Sequence, residues 1–181
     1  MKMMKRIKLK RSFWAVAAMM ISASPLALKA QTTTSITNIT APVAKPNGGL
    51  IVPNGFGATI VADNLGKARH LIVTPQHDIY VRLAKKVNGH GTLLLHEEND
   101  KASVVYGFGN FGGTGVYLRD GYLYTASNSE VFRYKLDAQN RVIDTLHPER
   151  IVKGLLDKGT HETKSITMDA EGNMYIQLVA H

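Results

Sequence analysis

The sequence predicts an all-β fold, built as an incomplete arc of about three β-propeller blades. Three observations carry this reading. From about Leu50 onward no segment shows the 3.6-residue apolar period of an amphipathic helix, and short β-branched and aromatic runs alternate with turn residues. A strand–turn–strand unit recurs with a tyrosine in its second strand, and those tyrosines, Tyr80, Tyr124 and Tyr175, stand 44 and 51 residues apart. Blades recur at about 40–50 residues because four short strands and their turns need that much chain. An ordinary sandwich would show turns every 8–12 residues or so without the longer period.

The expected strands follow in order. They are Thr59–Ala62, Leu71–Val73, Ile79–Leu83, Thr92–Leu95, Ser103–Tyr106, Thr114–Leu118, Tyr122–Ala126, Glu130–Tyr134, Ser165–Met168 and Met174–Leu178. The three repeat units are His70–Val81, Gly115–Tyr124 and Lys164–Tyr175, and each turn carries Asp, Gly or Asn as a tight hairpin requires. A propeller closes with about four to eight blades. Residues 50–181 are therefore expected to be the N-terminal part of a longer ring.

Charge is concentrated at the N-terminus. Of the 22 Lys and Arg residues, seven fall in the first 30, which contain no acid; 15 basic and 14 acidic residues remain beyond them. The formal charge of +8 thus belongs to the leader, and the near-neutral body lacks the basic surface a nucleic acid would require. Residues 1–30 follow the secretory pattern: a basic stretch to Arg11, an apolar run Phe13–Ile21, then Ser22-Ala23-Ser24-Pro25. Cleavage after Ala30 is the expected processing step. The apolar run is well short of the roughly 20 residues a membrane span needs, so no stable anchor is expected. The mature chain is expected in the periplasm or secreted medium. Residues 31–49, rich in Thr, Asn, Pro and Gly, read as a flexible polar linker. No cysteine is present, so neither disulfides nor thiolate chemistry contribute.

Two motifs invite chemistry and yield little by themselves. The histidines (70, 77, 90, 96, 147, 161 and 181) are dispersed, without metal-ligand spacing. Gly107–Gly115 is glycine-rich, but no Lys-Ser/Thr pair and no helix follow, so a wide turn or a close backbone approach is favoured over phosphate binding.

Several segments in sequence resemble the soluble quinoprotein glucose/sorbosone dehydrogenases, which use pyrroloquinoline quinone (PQQ). They are Val52–Phe56, Leu65–Leu71 with the Thr74-Pro75 turn, Phe111–Gly115, Arg133–Asp137, Ile151–Leu155, His161 and Asp169–Tyr175. The sorbosone dehydrogenase-like branch is the more similar one. The resemblance implies a six-bladed propeller binding quinone and sugar at its top. It implies PQQ and calcium as cofactors, a sugar or related aldehyde or alcohol as substrate, and an electron acceptor such as a cytochrome. His161 matches the family's catalytic base. A neutral imidazole can accept a proton near neutral pH, which suits that role. From residue chemistry alone His161 reads rather as a solvated loop histidine, and the resemblance brings the catalytic reading level with it. Thr160 stands where the glucose branch has an orienting aspartate, with Glu162 the alternative, and the family's glutamine has no counterpart near Phe111-Gly112. Its basic cofactor clamps and calcium ligands are expected beyond His181. The chain alone is therefore expected to be inactive. The competing expectation is a non-catalytic exported propeller that binds a ligand or protein.

Overall fold

The structure is a computed structural model that describes residues 2–8, 46–157 and 164–179. Eleven strands run in chain order: β1 (Lys2–Lys8), β2 (Ala68–Val73), β3 (Asp78–Val87), β4 (His90–Glu98), β5 (Lys101–Phe108), β6 (Val116–Arg119), β7 (Tyr122–Ala126), β8 (Val131–Lys135), β9 (Glu149–Val152), β10 (Ile166–Met168) and β11 (Asn173–Val179). A short 3₁₀ turn, Pro46–Gly49, precedes β2. No helix among the described residues is long and apolar enough to cross a membrane.

The strands form three antiparallel sheets. Two are four-stranded meanders, β2-β3-β4-β5 and β6-β7-β8-β9, and the third has the order β1-β11-β10. Each meander is one blade, and β10 and β11 open a third. The first strands lie nearest one another, since β6 contacts both β2 and β10. The result is an all-β propeller arc.

Strand alternation explains how the blades stack. On β3, Ile79, Val81 and Leu83 face one side, while Tyr80 and Arg82 face the other. Tyr80, Leu94 and Phe108 of the first blade pack with Val116, Leu123, Tyr134, Leu136 and Val142 of the second. Tyr124, Ala126 and Val131 of the second pack with Ile166, Met168, Met174, Ile176 and Leu178 of the third. Fully burying a side chain such as Leu94 or Leu123 stabilises the fold by about 1.5–3 kcal/mol, so these interfaces supply most of the cohesion.

The repeat seen in the sequence is structural. Tyr80, Tyr124 and Tyr175 each occupy the third position of the second strand of their blade. Turns also recur in form. Asp78 N–H donates to Thr74 Oγ1 at 3.2 Å, and Asn173 N–H donates to Asp169 Oδ1 at 2.7 Å, both four residues on. The hairpins at Asn88-Gly89 and Asp120-Gly121 hold both central residues at positive φ, the twist that suits two-residue turns.

Two expectations need correction. Thr59–Ala62 is not a strand. This extended segment lies beside β5, tied by one backbone bond from Ala102 N–H to the Val61 carbonyl, while Ala62 packs on Ile79, Val81 and Leu83. Its β-branched residues stay exposed, and Ala62 alone of the four joins the core. Strand β9 was not expected, because Leu146-His147-Pro148 before it reads as loop and it has only four residues. The leader beyond Lys8, the proposed cleavage point and His161 lie outside the described residues. Within the leader, β1 pairs antiparallel with β11, from Lys2 opposite Val179 to Lys8 opposite Asn173.

Candidate functional site

The two ends of the arc differ in chemistry. One end carries the hairpin turns within blades, at 74–77, 98–101, 119–122 and 136–148. The other carries the crossovers between blades, at 109–115 and, in its described parts, 153–157 and 164–165, together with the turns at 88–89 and 127–130. Exposed Lys67, Lys85 and Lys86 stand at the crossover end of the first blade.

The glycine-rich crossover is a backbone-to-backbone junction, as the sequence suggested. A Cβ on Gly112 would lie 2.2 Å from the Ala84 carbonyl oxygen, and one on Gly113 would lie 2.0 Å from that of Ala126. Gly113 N–H donates to the Leu83 carbonyl at 3.0 Å. A Cβ on Gly115 would lie 2.3 Å from the Lys164 carbonyl oxygen. Only residues without side chains let this segment thread between three blades.

Beneath it sits Arg82, fully buried on β3. Its Nη1 donates to the carbonyls of Gly91 and Phe111 and to Thr92 Oγ1, and its Nη2 donates to the Ala126 carbonyl at 3.0 Å. The guanidinium carbon is 4.8 Å from the centre of the Phe111 ring, which in turn stacks on Phe132 at 4.6 Å. Burial lowers the Arg82 pKa to about 10, so the group stays charged at neutral pH. Sequence reasoning missed this residue. Its one signal was position, because Arg82 shares a strand face with Tyr80.

The second crossover carries His161, the sequence-predicted catalytic base. His161 itself lies outside the described residues, but both flanks are fixed. Leu155 N–H donates to the Ser129 carbonyl at 2.8 Å and its side chain joins the core. Lys164 is buried, and its N–H donates to Thr114 Oγ1 at 3.0 Å. Ser165 accepts from Gln177 N–H. The glycine-rich crossover and the histidine-bearing crossover are thus joined at Thr114, Gly115 and Lys164.

Three of the other histidines form side-chain pairs. His77 meets Glu97 at 3.1 Å, His147 meets Asp144 at 2.9 Å, and His96 meets Asp78 at 2.7 Å, all at the turn end. Arg141 also bonds Asp78, at 2.6 Å through Nε, which ties the second blade to the first. Burial would raise the Asp78 carboxyl, but the bonds and charges of Arg141 and His96 outweigh it and hold the group below the ordinary carboxylate value.

A planar polycarboxylate such as PQQ suits the cationic crossover end in charge. Among the described residues no three His, Cys, Asp or Glu side chains group together as a metal ligand set.

The fold has a solved counterpart. The chain is similar to the PQQ domain of pyranose dehydrogenase from Coprinopsis cinerea, in its holo form, with a TM-score of 0.53 and 16% identity. The alignment covers 72% of this chain and 31% of that one, so this chain spans about a third of the structure it matches. No family model matches the sequence. No curated protein matches it. The likeness defines the class of fold, a β-propeller arc.

Proposed function

We propose that this chain is the N-terminal part of an exported PQQ-dependent oxidoreductase. It oxidises a sugar or a related aldehyde or alcohol by hydride transfer to the quinone, and among such enzymes its motifs are nearest the sorbosone dehydrogenase-like branch. The observation that carries the reading is the likeness to a PQQ domain over 72% of the chain. Its support in the residues is the junction of Thr114 and Gly115 with Lys164, which joins the glycine-rich crossover to the residue just ahead of β10.

In this reading His161 removes the proton of the substrate hydroxyl, which favours hydride departure by stabilising the carbonyl that forms. Lys67, Lys85 and Lys86 make the crossover end attractive to an anionic cofactor. Arg82 does not bind it, since that side chain is sealed and its Nη donors are engaged with carbonyls and Thr92 Oγ1. Bound PQQ supplies the hydride acceptor; the protein supplies placement. Calcium ligands and the remaining clamps belong to later blades, and a cytochrome-type acceptor would reoxidise the cofactor. The periplasm or secreted medium is the place of action.

The test is reconstitution of the full-length protein with PQQ and calcium, followed by dye reduction with aldoses and sorbosone. Quinone-dependent turnover is expected, falling about 10²-fold or more in His161→Ala. Absence of turnover, or an undiminished His161→Ala rate, would reject the assignment.

A further inference from the structure

The third sheet holds a strand out of chain order. In the first two blades the second strand pairs antiparallel with the strand that follows it, β3 with β4 and β7 with β8. In the third blade β11 is the second strand, and the corresponding edge is taken by β1, also antiparallel. The pairing runs unbroken over the 7 residues of β1. A segment of the basic leader thus stands where the blade's own third strand belongs.

The leader fits that place by its backbone and misfits it by its residues. An open strand edge presents unpaired N–H and C=O groups, and an extended segment can satisfy them. Residue types then decide how firmly it stays. The third strands of the other blades set buried apolar residues opposite buried ones: Leu93, Leu94 and Leu95 opposite Val81, Tyr80 and Ile79, and Tyr134 opposite Leu123. In β1, Met3 opposite Leu178 and Ile7 opposite Met174 keep that pattern. Lys5 breaks it, because its register partner Ile176 is fully buried. The ladder favours docking and the lysine limits it, so a better-matched strand can displace β1.

We propose that the leader is a placeholder for the third strand of the third blade. Before cleavage it occupies the β11 edge and delays completion of that blade; its removal frees the edge for the strand that follows in the chain. The inference rests on the reading that the chain continues into further blades. Export gives the arrangement its use, since a chain that must thread through a membrane has to stay incompletely folded until it arrives.

Refolding of the full-length protein tests this without any cofactor. A form with the leader and a form beginning at Gln31 are diluted from urea, and recovery of near-ultraviolet circular dichroism is followed. The form with the leader should refold about tenfold more slowly, as expected if about a tenth of the molecules have a free edge. Lys5→Ile should slow it further. Lys5→Pro combined with Arg6→Pro should restore the rate of the shorter form, because one of two adjacent N–H groups faces the partner strand and proline has none. The chain has no cysteine, so Met4→Cys with its register partner Gln177→Cys should form a disulfide early in refolding, while Met4→Cys with the diagonal Val179→Cys should lag. The proposal is overturned by equal refolding rates of the two forms, by a Lys5→Ile form no slower than its parent, by a delay that survives the proline pair, or by cysteine pairs that oxidise alike. Turnover plays no part in these readouts, so their failure leaves the oxidoreductase reading standing, and an inactive full-length protein leaves them interpretable.

Discussion

Substituting Gly115 by alanine tests whether the crossover is as close-packed as its backbone implies. The new Cβ would lie 2.3 Å from the Lys164 carbonyl oxygen, 2.9 Å from the Ala126 Cβ and 2.9 Å from Ile166 Cγ1. A carbon and an oxygen in contact need about 3.2 Å or more, so the two main chains must separate by roughly 1 Å in a close-packed interior. Lys164 cannot turn its carbonyl away freely, because its N–H is held by Thr114 Oγ1. Overpacking a well-filled interior costs about 1–3 kcal/mol, and the upper end applies where main chain rather than side chain must yield. Gly57 is the control, since a Cβ there meets only Asn47 Oδ1 at 3.9 Å. Gly57→Ala should be neutral or stabilising by a few tenths of a kcal/mol, through lost freedom of the unfolded chain. Urea unfolding of the full-length proteins reads both. Equal midpoints for Gly115→Ala and Gly57→Ala would refute the argument that close approach explains this glycine.

Three further outcomes are expected. Asp78→Asn should destabilise at neutral pH and much less in acid. A carboxyl held below its ordinary value adds stability above that value and loses it as the pH falls through the folded one, so the wild-type advantage should fade below about pH 4, as followed by urea midpoints against pH. Leu123→Ala empties a fully buried position between the first two blades and should cost about 2–5 kcal/mol in the same assay. Tyr80→Phe deletes the 2.8 Å bond from Tyr80 Oη to the Asn140 carbonyl and should cost about 0.5–1.5 kcal/mol; no change would mean that the hairpin carrying Asn140 does not hold the first blade.

The parts of this fold legible in the sequence are those set by local chemistry. Alternating apolar residues and Asn-Gly or Asp-Gly turns encode hairpins within a few residues, and Tyr80, Tyr124 and Tyr175 register the blades because each holds the third place of its strand, where Tyr80 and Tyr124 pack against the next sheet. The glycine-rich segment was readable as a close approach, although which backbones approach it was not. Arg82 was illegible. An arginine in a strand ordinarily faces water, and its acceptors come from Gly91, Phe111 and Ala126, up to 44 residues away. Thr59–Ala62 misled because strand propensity there yields only one backbone bond, Ala102 N–H to the Val61 carbonyl, while Ile60 and Val61 stay exposed. His161 rests on resemblance alone.

The hairpin spanning Leu136 to Val142 reaches back to the first blade: Asn140 bonds Gln76, Arg141 bonds Asp78, and Leu136 and Val142 cover Tyr80 and Phe108. That geometry sets a schedule for the nascent polypeptide. The first meander is complete in sequence at Phe108, yet one of its apolar sides stays wet until Val142 has been made. At about 5–20 residues per second the delay lasts some seconds, an interval in which a chaperone has a sticky surface to find.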